Sequence, residues 1–229
     1  MLRPSRWCWL GLFWTGLALA GDQETTVFSS EPVPQVTTAG SPAAQLTAEL
    51  GALKSLDADF TQVTLAVDGR VLQQNDGHLW VASPARFRIE TQAPFAQTLV
   101  SDGKDFWSYD ADLAQVIIQP LDRNLEQVPI LLLGGDSTAV VDSYDISTFE
   151  DEEQRYFVLK PRSQASLFET LTLAFHSGYP VAITINDATG QQTRISLGGA
   201  RINQAIDATR FQFVLPSGVD VIDDRPPDS

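Results

Sequence analysis

The sequence predicts a mainly β protein of the α+β class, built as one strongly curved antiparallel sheet wrapped around two helical segments. Three observations support this prediction. About eleven short strand patterns recur at regular spacing, turn signals such as Asp-Gly separate them, and two amphipathic helical segments are left over. Because the apolar faces of those helices must be buried, we expect them to pack on the inner face of a curved sheet.

The first twenty residues have the pattern of a cleaved secretory signal peptide. Arg3 and Arg6 give a basic start, Trp7–Ala20 is an apolar run, and Ala18-Leu19-Ala20 supplies small residues for cleavage. A bilayer-spanning helix needs about 20 apolar residues, so an uncleaved membrane anchor is the weaker alternative. We therefore expect the mature chain to leave the cytoplasm.

Charge and cysteine content restrict the function of the mature chain. The formal net charge is −14, and it becomes −16 after cleavage because the signal carries two arginines and no acid. Such a charge argues against binding nucleic acid or an anionic bilayer surface. The only cysteine, Cys8, lies in the signal, which excludes disulfides and thiol chemistry from the mature chain. Gly21 stands where a lipid-anchored protein would carry its cysteine, and we expect an unanchored, soluble form.

The next segments are a leader and a helix. Residues 21–40 are rich in Thr, Ser, Pro and Glu, which predicts a flexible leader. Ser41 is a good N-cap and Pro42 suits the first helical position. Leucines at 46, 50 and 53 then form a narrow apolar stripe, and we expect this helix to end near Leu56.

The β part begins at Asp59, and an aromatic-rich block lies at its centre. Asp68-Gly69 and Asp102-Gly103 predict hairpin turns, because glycine supplies the positive φ that such turns need. The strands predicted in this half are Phe60–Val67, Val71–Gln74, Leu79–Ala82, Arg86–Thr91, Thr98–Val100, Lys104–Asp110 and Leu113–Gln119.

A second helical segment interrupts the strands. Leu121–Leu133 has apolar residues at helical spacing, Pro129 should kink it, and Gly134-Gly135 should end it. The strands predicted after it are Ser143–Phe149, Arg155–Leu159, Thr170–Phe175, Val181–Asp187, Gln191–Leu197, Arg201–Ala205 and Phe211–Leu215. The predicted organisation is thus a signal peptide (1–20), a leader (21–40), one folded domain (41–223) and a polar tail (224–229).

Residues with reactive side chains form no recognisable catalytic pattern. His78 and His176 lack paired metal-ligand spacing and are expected to be solvated. Asp110 and Asp112 flank a turn, where aspartate usually caps backbone amides. Ser137 lacks the strand–Gly-x-Ser-x-Gly–helix context of a nucleophile, and the acidic run Glu150–Glu153 is typical of a solvated loop. We therefore expect the protein not to be an enzyme.

The distinctive feature is apolar. Alternate residues of a strand share a face, so Leu79 and Val81 lie opposite Trp80, and Phe87 lies opposite Arg86. Aromatic residues are dense between positions 80 and 109. These side chains either build an ordinary core or line a site for an apolar ligand, and the pattern alone does not decide between the two.

A series of motifs resembles a known family. In order they are Ala58-Asp59-Phe60-Thr61-Gln62, Gly77-His78-Leu79-Trp80-Val81 followed by Pro84, Val100-Ser101-Asp102-Gly103-Lys104, the Trp107 to Asp110 strand end, Pro129 with its aliphatic tail, and Phe211-Gln212-Phe213 with Pro216, Gly218 and Val219. Their order and spacing resemble the LolA family of periplasmic lipoprotein carriers of Gram-negative bacteria, from about Leu46 to Asp223.

The resemblance implies both a fold and a function. The fold would be an incomplete, strongly curved antiparallel β-barrel of about eleven strands closed by a lid of helices. The space under the lid would receive the acyl chains of a lipoprotein. An inner-membrane LolCDE-type ABC transporter would load the carrier, which would cross the periplasm as a monomer without a cofactor. A LolB-type acceptor at the outer membrane would then take the cargo.

The resemblance also assigns site residues. Leu50 matches a leucine of the family's lid helix, and Ile130 and Leu133 match apolar contacts of its second lid segment. Phe87 matches a phenylalanine that acts in handing the cargo on. The predicted lipid-binding residues of cavity and lid are therefore Leu50, Leu79, Trp80, Val81, Phe87, Ile130 and Leu133.

One position departs from the family pattern. Ser83 stands where the family usually has an arginine that hydrogen-bonds the lid backbone and keeps the empty carrier closed. A serine offers one short donor where arginine offers five. Either Arg86 or Arg88 takes over this latch, or packing alone holds the lid more loosely; strand alternation favours the second.

Three alternatives to a lipoprotein carrier remain at this point. A LolA-like carrier of a different envelope lipid is compatible with Ser83. A sensor or regulatory module on the same fold would usually have a second domain after the barrel, and we expect none here. An enzyme is the weakest alternative, because no catalytic constellation supports it.

Overall fold

The computed structural model describes residues 40–121, 129–134, 137–164 and 166–226, all within one compact unit, Ala39–Ser229. The predicted signal peptide and almost the whole leader lie outside these residues. No helix in the described ranges is long and apolar enough to span a membrane.

The first helix forms where the capping residues predict it. Helix α1 is Pro42–Ala52, and the Ser41 hydroxyl accepts a hydrogen bond from the Ala44 N–H at 3.2 Å. The prediction that it continues to Leu56 is wrong. Leu53 is already extended, and strand β1 begins at Ser55, because Ser55 and Leu56 pair with Ala82 and Val81 of the next strand.

The described strands form one open, curved sheet of twelve. In chain order they are β1 Ser55–Leu65, β2 Val71–Ala82, β3 Arg86–Thr91, β4 Gln97–Asp102, β5 Asp105–Asp110, β6 Gln115–Pro120, β7 Tyr144–Glu150, β8 Arg155–Pro161, β9 Phe168–His176, β10 Tyr179–Asp187, β11 Gln192–Ile202 and β12 Asp220–Asp223. The order across the sheet is β12-β6-β5-β4-β3-β2-β1-β11-β10-β9-β8-β7. The prediction of a mainly β, incomplete barrel with a helical lid is confirmed.

Two pairs of predicted strands are single long strands. The patterns at 71–74 and 79–82 merge into β2, because residues 75–78 pair with β1 without a break. Gly77 permits this continuity, since a methyl group there would lie 2.3 Å from the Glu90 carbonyl oxygen and 2.5 Å from the Phe60 ring. Nearly all of the pattern at 191–197 and the first two residues of the pattern at 201–205 likewise lie in one strand, β11, whereas residues 203–205 lie outside it, so this part of the prediction is wrong.

The prediction of a strand at Phe211–Leu215 is wrong. A 3-10 helix, Ala208–Phe211, replaces its start, and the last strand is β12, which pairs in parallel with β6. The sheet order explains this, because β11 lies beside β1 while β12 lies at the far edge. Residues 203–219 must therefore cross the outer face of the sheet, and we name this segment the strap.

The second helical region differs from the prediction. Residues 122–128 lie outside the described part, and Pro129–Leu133 is a 3-10 helix whose four aliphatic side chains are all buried. A short helix that we did not predict, α2, follows at Ser137–Ser143. Its seven residues carry one buried side chain, Val140, so the sequence offers too short a pattern to detect.

Each face of the sheet packs against another part of the chain, the inner face against the helices and part of the outer face against the strap. The inner face packs against the helices in one large apolar cluster that contains Leu79, Phe87 and Phe106. On the outer face the strap contributes Phe211, which is buried beneath the Arg86 guanidinium, and Phe213, which stacks on Trp107. The aromatic block therefore divides between the inner apolar cluster and contacts with the strap.

Candidate functional site

The inner apolar cluster holds six of the seven predicted lipid-binding residues. We call α1, the 3-10 helix Pro129–Leu133 and α2 the lid, because they cover the inner face of the sheet. Side chains of lid and sheet meet there with 7% exposure or less: Leu50, Leu79, Val81, Phe87, Ile130 and Leu133. The structure thus brings these residues together, while their role in binding lipid stays a prediction.

Trp80 lies apart from the other six. It points to the outer face, where its ring lies 4.2 Å from the His78 ring and the Arg210 guanidinium lies 4.7 Å from it. Trp80 follows the alternation of β2, in which Leu79 and Val81 point inward. Trp80 therefore contacts the strap and not the lid.

The opposite wall of the cluster comes from strands that sequence reasoning did not assign to the site. Leu171, Leu173 and Phe175 of β9 are fully or almost fully buried, and Phe157 of β8 meets Phe175 edge to face at 5.6 Å. The alternation of apolar residues at 171, 173 and 175 is visible in the sequence and could have identified this wall.

Burial sets the energy scale of lid movement. Leu46 and Leu50 of α1, and Leu53 directly after the helix, are each at most 7% exposed. Exposing a buried leucine to water costs about 1.5–3 kcal/mol, so lifting α1 together with Leu53 would cost roughly 5–9 kcal/mol. Opening of the lid is therefore unfavourable in water unless another apolar group covers the vacated surface.

A backbone contact fastens the second lid segment to the sheet. The Ala85 N–H, in the turn after β2, donates to the Gly134 carbonyl oxygen at 2.7 Å. Gly134 also lies directly on Val81, since a methyl group at Gly134 would be 2.4 Å from Val81 Cγ1. The absence of a side chain at Gly134 thus allows the lid to approach β2 closely.

Ser83 and the two nearby arginines make local contacts. The Ser83 N–H donates to the Lys54 carbonyl oxygen at 3.0 Å, and the Ser83 carbonyl accepts from Arg86 Nη2 at 3.2 Å. Arg88 Nε pairs with Glu90 at 2.6 Å. Within the described ranges, neither arginine donates to the lid, and the latch role of this position stays a prediction.

Polar contacts attach helix α1 and the residues after it to the strap and to the sheet. At its C-terminal end, the Asn203 side-chain amide donates to the Ala52 carbonyl at 2.9 Å and accepts from the Lys54 N–H at 2.6 Å. Farther along the helix, Arg155 Nη1 of β8 pairs with Glu49 Oε1 at 3.0 Å. The hydrogen bond from Arg155 to Glu150 is the main cause that raises the arginine's pKa.

The side chains of His78 and Asp110 make hydrogen bonds within the fold. The His78 ring nitrogens lie 2.7 Å from Asp57 and Asp59 carboxylate oxygens, so the prediction that His78 is simply solvated is wrong. Asp110 caps the N–H groups of Asp112 and Leu113 at 3.0 Å, as predicted. The described residues contain no group of three or more His, Cys, Asp or Glu placed to hold a metal ion.

Comparison with known proteins gives consistent matches over this domain. Residues 51–214 match the family model described as "Outer membrane lipoprotein carrier protein LolA". A protein of Chromohalobacter salexigens named outer-membrane lipoprotein carrier protein is 39% identical over 180 residues, which cover 79% of this chain and 86% of that protein. A protein of the same name from Pseudomonas paraeruginosa is 43% identical over 178 residues, covering 78% and 86%.

Proposed function

This chain belongs to the LolA family of outer membrane lipoprotein carriers, and from this premise we propose that it is a periplasmic chaperone for lipoproteins. It takes lipoproteins from an inner-membrane LolCDE-type ABC transporter and shields their acyl chains beneath the lid. It then delivers them to a LolB-type acceptor at the outer membrane. In this role it acts as a non-enzymatic, monomeric carrier that needs no cofactor.

The observation that supports this proposal is the inner cluster beneath the lid. Leu50, Ile130 and Leu133 of the lid meet Leu79, Val81 and Phe87 of the sheet in one apolar cluster. Each methylene removed from water is worth about 0.8 kcal/mol, so one sixteen-carbon acyl chain in water costs roughly 12 kcal/mol. That cost exceeds the cost of lifting α1, so acyl chains can replace the lid's own leucines.

Reversible occupation follows from the same exchange. Loading replaces contacts between lid and sheet by contacts between acyl chain and sheet, and release restores the lid. The net free energy of binding is therefore the small difference between burying the acyl chain and exposing the lid. Such a balance lets an acceptor with a somewhat better apolar site draw the cargo away. It also explains why the closed lid is itself well packed.

The decisive experiment uses the mature protein and spheroplasts that hold newly made lipoproteins and the inner-membrane transporter. We expect a soluble complex of carrier and lipoprotein in the supernatant. A Phe87→Ala variant that remains folded should pass less cargo to the acceptor than the wild-type protein does. Failure of the wild-type protein to release lipoprotein, with an active transporter present, would rule out this function.

A second candidate, a carrier of a different envelope lipid, is favoured by Ser83 at the position of the family's usual arginine. Native mass spectrometry of the protein isolated from the periplasm distinguishes the two. Bound species with the mass of acylated polypeptides support the main proposal, and free lipids alone support the second.

A further inference from the structure

The inner face of the sheet changes from apolar to polar along strands β1 and β2. Toward the end of the sheet at which β1 begins, this face carries Leu56, Ala58 and Leu79, all at most 1% exposed. Toward the other end, the same face carries Thr64 and Asn75, which are 7% and 6% exposed. The buried face of these two strands is thus apolar at one end and polar at the other.

The two buried polar residues differ in their hydrogen bonding. Thr64 Oγ1 lies 3.1 Å from Thr193 Oγ1 on the neighbouring strand, so these hydroxyls satisfy each other. The Asn75 Oδ1 atom is buried and has no hydrogen-bond partner in the part of the chain that the structure describes. A buried amide oxygen without a donor is destabilising, so a ligand that supplies an N–H there would be favoured.

The direction of the Asn75 side chain follows from strand alternation. Asn75, Gly77 and Leu79 alternate along β2 on the buried face. The Phe60 ring of β1 occupies the place of the missing side chain at Gly77 and so lies between Asn75 and Leu79. An acyl chain that lies along Leu79 and Phe60 would therefore bring the group that follows it to Asn75.

We propose that Asn75 is a subsite for the amide that joins an acyl chain to a polypeptide. This inference rests on the proposed carrier function and names which part of the cargo the polar end receives. A secondary amide has one donor and one acceptor, and so complements both the oxygen and the nitrogen of the asparagine side chain. A fatty acid or an ester lacks the N–H that the buried Oδ1 needs.

Two amphiphiles that differ by one methyl group test the proposal. N-dodecanoylglycine methyl ester has an amide N–H, and N-dodecanoylsarcosine methyl ester carries a methyl group in its place. Because a hydrogen bond contributes about 0.5–1.5 kcal/mol, calorimetry on the mature protein should show about a fivefold preference for the glycine compound. Equal affinity, or no binding of either compound, would overturn the proposal.

The variant Asn75→Leu separates a binding role from a structural one. It removes the unsatisfied oxygen from a buried site, so the thermal midpoint of the empty protein should rise while the preference for the N–H compound falls to about one. Thr64→Val is the matched control, because it removes a satisfied hydroxyl and should preserve the preference without raising the midpoint.

A preference retained in Asn75→Leu, or a lowered midpoint or failed folding of that variant, contradicts the proposal. The outcome is distinct from failure of the carrier function itself. A wild-type protein that releases lipoproteins from spheroplasts but shows no N–H preference disproves only the Asn75 subsite.

Discussion

Replacing Glu49 by glutamine should loosen helix α1 without unfolding the sheet. The Glu49 and Arg155 side chains are 19% and 38% exposed, and their atoms lie 3.0 Å apart. Partly exposed ion pairs of this kind contribute about 0.2–1 kcal/mol to stability. Because Glu49 is the more buried partner, we take the upper end of this range, about 1 kcal/mol. Glutamine keeps a carbonyl acceptor, so the variant removes mainly the charge.

This loss of free energy determines how much more often helix α1 opens. A loss of about 1 kcal/mol makes opening of α1 about fivefold more frequent, since 1.4 kcal/mol is tenfold. Amide hydrogen exchange resolves this change, because it reports the free energy of local opening residue by residue. We expect about fivefold faster exchange at Leu46 and Leu50, with β9 amides such as Leu173 unchanged.

The chain provides a matched control for this prediction. Glu150 is the other carboxylate bound by Arg155, and it lies on β7 outside the lid. Glu150→Gln makes the same chemical change on the same arginine and should leave α1 exchange unaltered. About 1 M salt should shrink the effect of Glu49→Gln, because the Debye length falls to roughly 3 Å. Equal α1 exchange in Glu49→Gln and wild type would refute the reasoning.

Three further predictions concern the lid and acid stability. Gly134→Ala places a methyl group 2.4 Å from Val81 Cγ1, so it should cost about 1–3 kcal/mol of unfolding free energy and increase binding of an apolar fluorescent probe; an unchanged denaturation midpoint would contradict this. Ser83→Arg should raise the thermal midpoint of the empty protein and weaken ligand binding, and unchanged values of both would count against a latch at this position. The hydrogen bonds from Arg225 lower the pKa of Asp223 from 3.8 to about 2, so the stabilising effect of this carboxylate is complete above pH 4 and is lost as the pH falls toward 2. Acid titration of unfolding should show a smaller loss between pH 4 and 2 in Asp223→Asn, and identical curves would contradict the assignment.

Local signals predicted the hairpins because the chemistry that makes a turn is local. Asp68-Gly69 and Asp102-Gly103 both connect antiparallel strands, and both glycines have a positive φ. The N-cap at Ser41 was equally predictable, because a hydroxyl three residues before an N–H acts within one turn.

Other features depend on residues far apart in the sequence. Phe211-Gln212-Phe213 alternates as a strand does, yet the sheet order makes it part of a crossing segment. Glu49 and Arg155 are 106 residues apart, and no periodicity relates them. Asn75 fell between two predicted strands, and a sequence does not reveal that a side chain will be buried without a partner.

The pairing of β1 with β11 has a consequence for how the protein is made. A strand that starts at residue 55 has its partner at residues 192–202, so half of its backbone groups stay unpaired until most of the chain exists. Contacts of such long sequence separation slow folding, because loop closure must precede the contacts that reward it. The sheet therefore cannot be completed before the segment up to residue 202 has been made, and among the described strands β1 waits longest for its second partner.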